Sequence, residues 1–487
     1  MKIHEPSEVL IVGGGFAGMY SAISAYENRC AVPQILCKSK TGGSGNSVVA
    51  MSVHRFPPKA PGLKEEYRGR FLQSGAGEQN PETVDFYIDY AADAVEKLKQ
   101  YDFPLHYRSL EENGEKFPYL ACCNPKRGQI LTKAIRKYLD EQTGVACQDD
   151  VTVLDILCDG KKVCGTVALS KDGIEIYPAQ AVILACGGAG NIYEATSNTS
   201  DVTGDGYAMA LRCGLPLQGM EFVQFYPYRI YSPQQADIFP DIFEHGVVFR
   251  NEQGVRFMGS PEYPKKELEN RDVVARAEFA QKEVWLDLSA CDMDYLLKEC
   301  PNIYEMQKKH PEEKLKVRPV AHFFMGGVPL RPDCGTEIEG LYVCGEVAGG
   351  LHGANRLAGS ALSEAVLFGY TAGKNAAEYA KRNSAVSIPQ AVIDKCLSDY
   401  PGLGKDSVKE LRNRLRKVMW ENVSVVRSEA SVADAKAKIE EIRTEFLSCH
   451  PENYKSWSEL RNMLLVAEQV IQAAEKRKES LGAHCIR

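Results

Sequence analysis

Glu346 and Arg356 stand close together in the segment Gly340-Leu341-Tyr342-Val343-Cys344-Gly345-Glu346 … Leu351-His352-Gly353-Ala354-Asn355-Arg356-Leu357-Ala358-Gly359-Ser360-Ala361-Leu362. The carboxylate can accept hydrogen bonds from the hydroxyls of a cofactor. The guanidinium can clamp a substrate carboxylate through two parallel bonds. Locally the segment reads as a short buried strand, a glycine-rich turn and the start of a helix. Glycines admit backbone close to a ligand, and a helix N-terminus offers free N–H groups to an anion. Taken alone, the same pattern serves as a tight strand-to-helix connection, so the elements around it decide.

The first of those elements lies at the start of the chain. Glu8-Val9-Leu10-Ile11-Val12 reads as a buried strand and runs directly into Gly13-Gly14-Gly15-Phe16-Ala17-Gly18. Apolar residues at helical spacing (Met19, Ala22, Ile23, Tyr26) then predict a helix from about Ala17 to Asn28. Strand, G-x-G-x-x-G and helix together form the fingerprint that seats a pyrophosphate on a helix N-terminus. The next strand, Gln34 to Cys37, should end in an acid if it held the ribose of NAD. Cys37 and Lys38 stand there instead, which argues against an ordinary NAD site. The following loop, Thr41 to Ser47, is glycine- and serine-rich and is expected to make a second cofactor contact.

Further along, residues 83–101 and 127–142 read as amphipathic helices, and Cys147 to Leu184 as short β runs joined by turns. The last run leads into Cys186-Gly187-Gly188-Ala189-Gly190. Thr203-Gly204-Asp205-Gly206 then opens a helix, with Asp205 either its cap or a cofactor ligand. From Leu217 to Met325 the texture is aromatic and proline-punctuated, as in an inserted domain. It ends on Arg318 to Gly327, a strand in which His322 sits among aromatics and would, by itself, be read as a core histidine. A polar linker is expected from Lys381 to Lys405. Helical segments are expected from Ser407 to Leu447 and from Tyr454 to Ser480.

Composition narrows the function class. The 487 residues exceed one ordinary core, and 44% apolar with 25% charged content is that of a globular protein. A net charge of −7 without a basic run argues against nucleic acid. No apolar run is long enough to insert in a membrane, and the N-terminus lacks the apolar core of a signal peptide, so a cytoplasmic protein is expected. The 16 cysteines are scattered without a C-x-x-C pair, so no metal site is expected; Cys122 and Cys123 are adjacent, and a redox role for them is the minor reading.

In combination these motifs resemble the flavoprotein family of succinate dehydrogenase, fumarate reductase and L-aspartate oxidase. The likeness also rests on Glu221-Phe222-Val223-Gln224-Phe225-Tyr226-Pro227, Arg271 to Arg276, His322 to Gly327 and, in the tail, Met419-Trp420 and Glu479 to His484. It implies an α/β fold: a Rossmann-like FAD-binding domain (1–216 and 326–380), an inserted α+β capping domain (217–325) and a C-terminal helical domain (381–487). FAD contacts are implied for Gly13, Gly14, Gly15, Phe16, Ala17 and Gly18, and for Cys37, Lys38 and Ser39. The same holds for Gly43, Ser44, Gly45, Asn46 and Ser47, and for Gly187, Asp205, Glu346, Arg356, Ala361 and Leu362. Where respiratory members carry a histidine joined to FAD, this chain has Asn46, which implies noncovalent FAD. His322 and Arg356 match the family's carboxylate clamp, and Arg271 its proton-delivering arginine, with Glu244 as the expected relay partner. Tyr226 replaces a histidine and Phe243 a threonine at the second carboxylate. The implied reaction is hydride transfer at the α,β carbon–carbon bond of a carboxylic acid whose far end is less charged than that of fumarate. Aspartate oxidation, and electron transfer without turnover of its own, are the alternatives. A soluble electron-transfer protein or an iron–sulfur subunit is the implied partner.

Overall fold

The computed structural model describes residues 1–31, 33–112, 115–122, 127–383 and 387–487. Strand Ser7–Val12 is almost wholly buried, as expected of a parallel strand covered on both faces. It pairs in parallel with Pro33–Leu36 on one side and with the long strand Gly173–Leu184 on the other. Ala146–Gln148 extends the sheet beyond Pro33–Leu36, and Leu341–Val343 lies parallel to the second half of Gly173–Leu184. The first half of that strand joins an antiparallel meander with Lys162–Ser170 and Thr152–Asp159. Helices Phe16–Glu27 and Ser360–Arg382 pack on each other and against the sheet. The chain leaves Val12, Leu36, Leu184 and Val343 at the carboxyl ends of parallel strands, where open α/β sheets bind ligands.

A second sheet has five antiparallel strands, in the order Ala236–Asp237, Val223–Ser232, Leu315–Phe324, Val284–Asp287 and Val248–Asn251. It has its own core, built on Tyr228, Ile230, Phe249, Leu286 and Val317. The pairing of Val223–Ser232 with Leu315–Phe324 shifts register after Gln224 and again after Tyr226. Such irregularities re-aim side chains beside functional sites.

The helical tail differs in two ways from the sequence expectation. The segment from Ser407 to Leu447 is two helices, Lys409–Val423 and Glu429–Leu447, because Ser428 starts a new one through a reciprocal capping box with Ser431. The expected linker contains the helix Gln390–Leu397, too short to register as a period. It is held by Ile393, which packs on Leu154, Leu157 and Ile176; residues 384–386 of that linker lie outside the described residues. Helix Tyr454–Lys476 reaches back to the first sheet. Lys38 Nζ donates to Asp205 Oδ2 at 2.8 Å and to Glu459 Oε1 at 3.1 Å, and Asn462 Nδ2 donates to Asp205 Oδ1 at 2.9 Å. Cys122 is buried, and Cys123 lies outside the described residues. Among the described residues no helix is long and apolar enough to cross a membrane.

Candidate active site

The strand ends open into one cavity of about 930 Å³ that runs from the glycine fingerprint to the second sheet. At the near end Gly13 holds φ +114°, and a Cβ there would lie 2.3 Å from the carbonyl oxygen of Ala185. A Cβ on Gly18 would lie 2.0 Å from the Gly13 oxygen, so this glycine serves close helix–turn packing and is not on the cavity wall. The wall takes in Gly13 to Ala17, Cys37 and Lys38, Ser44 to Ser47, Gly187, Asp205, Ala361 and Leu362. Ser39 and Gly43 stand off it; Gly43 closes an exposed turn onto Lys40. Helix Phe16–Glu27 starts without a side-chain cap from Gly15, which suits it to a phosphate.

Two half-buried carboxylates face the same channel. Burial works to raise the pKa of Asp205, and Lys38 more than offsets it, so Asp205 stays ionised. Burial pushes Glu346 up to about 7. Its Oε1 accepts from the Phe324 N–H at 3.1 Å, and Asn46 Nδ2 lies 3.4 Å from its Oε2. A helix start capped only by Ser47 Oγ on the Phe16 N–H at 2.9 Å, tight glycine contacts and an acceptor further in are the donor and acceptor set a dinucleotide with a polyol chain needs, and the residues fit FAD.

The far end of the cavity holds two arginines and one histidine. Gln224, nearly inaccessible, accepts from Arg356 Nη2 at 2.9 Å and from Arg271 Nη1 at 3.0 Å on the same oxygen. Its amide nitrogen donates to Asn355 Oδ1 at 2.9 Å and to the Arg356 carbonyl at 3.1 Å. Asn355 in turn donates to Asp272 at 2.9 Å. The arginine pair is therefore positioned by a neutral group, and both charges remain available to an anion. Burial, then the charge of Arg271, pushes Arg356 down to about 9. Burial also lowers Arg271. His322, with Nδ1 2.8 Å from Ser197 Oγ, is held well below its usual pKa by burial and then by Arg356 and Arg271. It is a neutral imidazole here.

Tyr226 stacks on His322 with ring centroids 4.8 Å apart, and the Arg271 guanidinium lies 4.9 Å from its ring centre. Its hydroxyl is spent on the Ile238 carbonyl at 2.6 Å, so the site meets ring rather than hydroxyl. Phe243 stands elsewhere than the sequence reading expects. The turn Pro240–His245 is a 3₁₀-helix, and Phe243 packs into the core of the second sheet against Tyr228 and Phe249, off the cavity. Three residues per turn put Asp241 and Glu244 on the other side, and both line the cavity. Glu244 is exposed, and among the described residues it makes no hydrogen bond or ion pair with Arg271. Sequence reasoning missed Gln224, Asp241 and Phe239. Gln224 lay inside a quoted motif, but an uncharged amide gives no chemical signal until its two cationic partners are seen.

The model of the family described as FAD binding domain matches residues 8–362, and that of the fumarate reductase flavoprotein C-term matches residues 412–486. A chain of the fumarate reductase (CoM/CoB) of Methanothermobacter marburgensis is 30% identical, over 98% of this chain and 93% of its own. The L-aspartate oxidase of Acinetobacter baylyi is 34% identical, over 98% and 92%. A quinol–fumarate reductase solved with menaquinol molecules superposes with a TM-score of 0.89 at 27% identity, covering 100% of this chain and 93% of its own. The chain belongs to the FAD-dependent flavoprotein oxidoreductases of the succinate dehydrogenase, fumarate reductase and L-aspartate oxidase family.

Proposed function

We propose that this protein catalyses hydride transfer at the α,β carbon–carbon bond of a carboxylic acid bearing a single clamped carboxylate. Bound FAD supplies or accepts the hydride at one carbon. The protein's own groups handle the rest. Arg356 and His322 hold the carboxylate; where the Ser197 hydroxyl donates to Nδ1, Nε2 of the neutral imidazole carries the donor proton. As charge builds beside that carboxylate, the two guanidiniums stabilise it more than they stabilise the bound acid. Arg271 passes the proton at the neighbouring carbon, and Glu244, which lines the same cavity, is the proposed source of its replacement. The observation that carries the reading is the arginine pair held by the single neutral oxygen of Gln224. The Tyr226 ring, its hydroxyl already engaged, supports a far end other than carboxylate.

The decisive experiment is anaerobic. The flavin is reduced, and its reoxidation is followed as unsaturated acids are added. Rapid reoxidation by an enoic acid is the expected result. Oxidation of aspartate to iminoaspartate without any enoic acid turnover would favour the aspartate oxidase reading, which the 34% identity to an L-aspartate oxidase keeps in view.

Asn46 offers no ring nitrogen to a flavin methyl group, so FAD is held noncovalently, and acid precipitation should leave all flavin in the supernatant. A soluble electron-transfer protein or iron–sulfur subunit is the proposed partner; prompt reduction of the purified protein by NADH would argue against it. Rising pH should affect binding first. With Arg356 near 9, its charged form dominates below that value and is lost above it. The kcat/KM for the acid is therefore expected to be level up to about pH 9 and to fall about tenfold per unit beyond it. A bound carboxylate favours the charged guanidinium, so the same fall in kcat should come at higher pH. A kcat/KM profile level well above pH 9 would remove Arg356 from acid binding.

A further inference from the structure

Strand Thr152–Asp159 and helix Asp205–Arg212 wall the cavity at its glycine-fingerprint end. Thr152 and Val153 at the start of the strand line it, as do Asp205 and Met209 on the helix. The other ends of the two elements meet outside the cavity. There Arg212 Nε donates to Asp155 Oδ2 at 2.7 Å, and its Nη2 to the Leu154 carbonyl at 3.1 Å. One residue further on, Cys213 Sγ lies 3.7 Å from Cys158 Sγ. Residues three apart on a strand point to opposite faces, so a regular ladder would not bring both Asp155 and Cys158 to the helix end. The pairing with Lys162–Ser170 slips between Leu157 and Cys158, and this irregularity carries the thiol to the Asp155 side. Both thiols are half-buried, beside exposed Asp159 and Gly160 on the strand and exposed Gly214 after the helix. The contact with Cys213 holds the Cys158 thiol below its ordinary pKa, and the same contact, together with burial, raises that of Cys213. Cys158 therefore ionises first, and the thiolate is the form that attacks a disulfide.

We propose that Cys158 and Cys213 are a reversible thiol–disulfide site for low-molecular-weight disulfides, and that the closed bond staples helix to strand and slows the loss of FAD. The Cys158 thiolate attacks one sulfur of the small disulfide, forming a mixed disulfide and releasing one small thiol. Cys213 gives up its proton and attacks the Cys158 sulfur, releasing the second. Two protein thiols are oxidised, one small disulfide is reduced to two thiols, and the two protons end on those thiols. A disulfide bond is about 2 Å long, and side-chain rotation closes the remaining gap. The bond ties together positions 55 residues apart, on the two elements that flank the cofactor arm. Excursions that part those walls become rarer. The clamp of Arg356 and His322 lies at the other end of the cavity, so the staple acts on cofactor retention and not on the choice of acid.

The test uses the holoenzyme, fully reduced, freed of reductant and then treated with oxidised glutathione. Peptide mapping should recover Cys158 joined to Cys213, with no glutathione retained. Release of FAD on dilution, read as the rise in flavin fluorescence, should slow about tenfold and return to its starting rate after dithiothreitol. Cys213→Ser should stop at the mixed disulfide and keep glutathione on Cys158, whereas Cys158→Ser should form neither bond. Mapping and release in the native protein decide the outcome even where a variant folds poorly, and neither depends on which acid is turned over. Free thiols at both positions after treatment overturn the site. So does Cys158 joined instead to Cys164, whose thiol donates to the Leu157 carbonyl at 3.2 Å. A Cys158–Cys213 bond that leaves FAD release unchanged overturns its role in holding the cofactor.

Discussion

Arg271→Gln is expected to lower turnover of the acid substrate by about 10²- to 10⁴-fold, the range associated with a placed acid or base. Flavin content and visible spectrum should be retained. A free guanidinium is a poor acid, since its pKa lies above about 12. Here burial lowers it, and the nearby Arg55 adds to the effect, while Tyr226 and Gln224 fix the group in place. A glutamine keeps hydrogen-bonding capacity but has no proton to give, so KM should move far less than kcat. Near-normal turnover in this variant would take Arg271 out of the chemistry. Loss confined to KM would reassign it to binding.

The second large effect is expected at a residue that transfers no proton. Gln224→Glu places a carboxylate between two guanidiniums that a neutral oxygen now holds at 3.0 and 2.9 Å. The anion would neutralise part of the clamp before the substrate arrives. Its second oxygen would also oppose Asn355 Oδ1 and the Arg356 carbonyl, which at present accept from the amide. Losing one charge-assisted bond costs roughly 1.5–3 kcal/mol, and repulsion at the two acceptors adds to that. A fall in kcat/KM of about 10²- to 10³-fold follows. A purely structural role would not move the pH profile. The positioning role does, because the added negative charge raises the pKa of Arg356 and carries the alkaline fall to higher pH. An unshifted profile with normal kcat/KM would mean that the neutrality of Gln224 is irrelevant.

The cofactor arm was legible in sequence because its demands are local. A backbone at φ +114° needs glycine, and helix and strand must meet within van der Waals contact, so Gly13 and Gly18 announce themselves. Glu346 and Arg356 were legible because charged residues in a glycine-rich turn have few structural uses. The far end of the substrate cavity was not, because a linear reading of residues 238–245 cannot show that the turn is a 3₁₀-helix. Its threefold repeat sends Phe243 into the core and turns Asp241 and Glu244 to the cavity. Glu459 and Asn462 were hidden for a related reason. They sit on a helix more than two hundred residues from Asp205, and no local pattern records that Lys38 bridges Asp205 to Glu459 while Asn462 donates to Asp205 directly.

Strand Val223–Ser232 bears Gln224 and Tyr226 two positions apart, with a register shift between them. Under the proposed function, Gln224 sets the charge state of the cationic pair and Tyr226 shapes what lies opposite it. Substitutions at Tyr226, and in the turn that its hydroxyl holds through Ile238, can therefore re-tailor the menu of acids while the redox core stays untouched. Divergence among such flavoproteins needs no new scaffold: a lineage can trade one diet for another by changing the neighbours of a single strand.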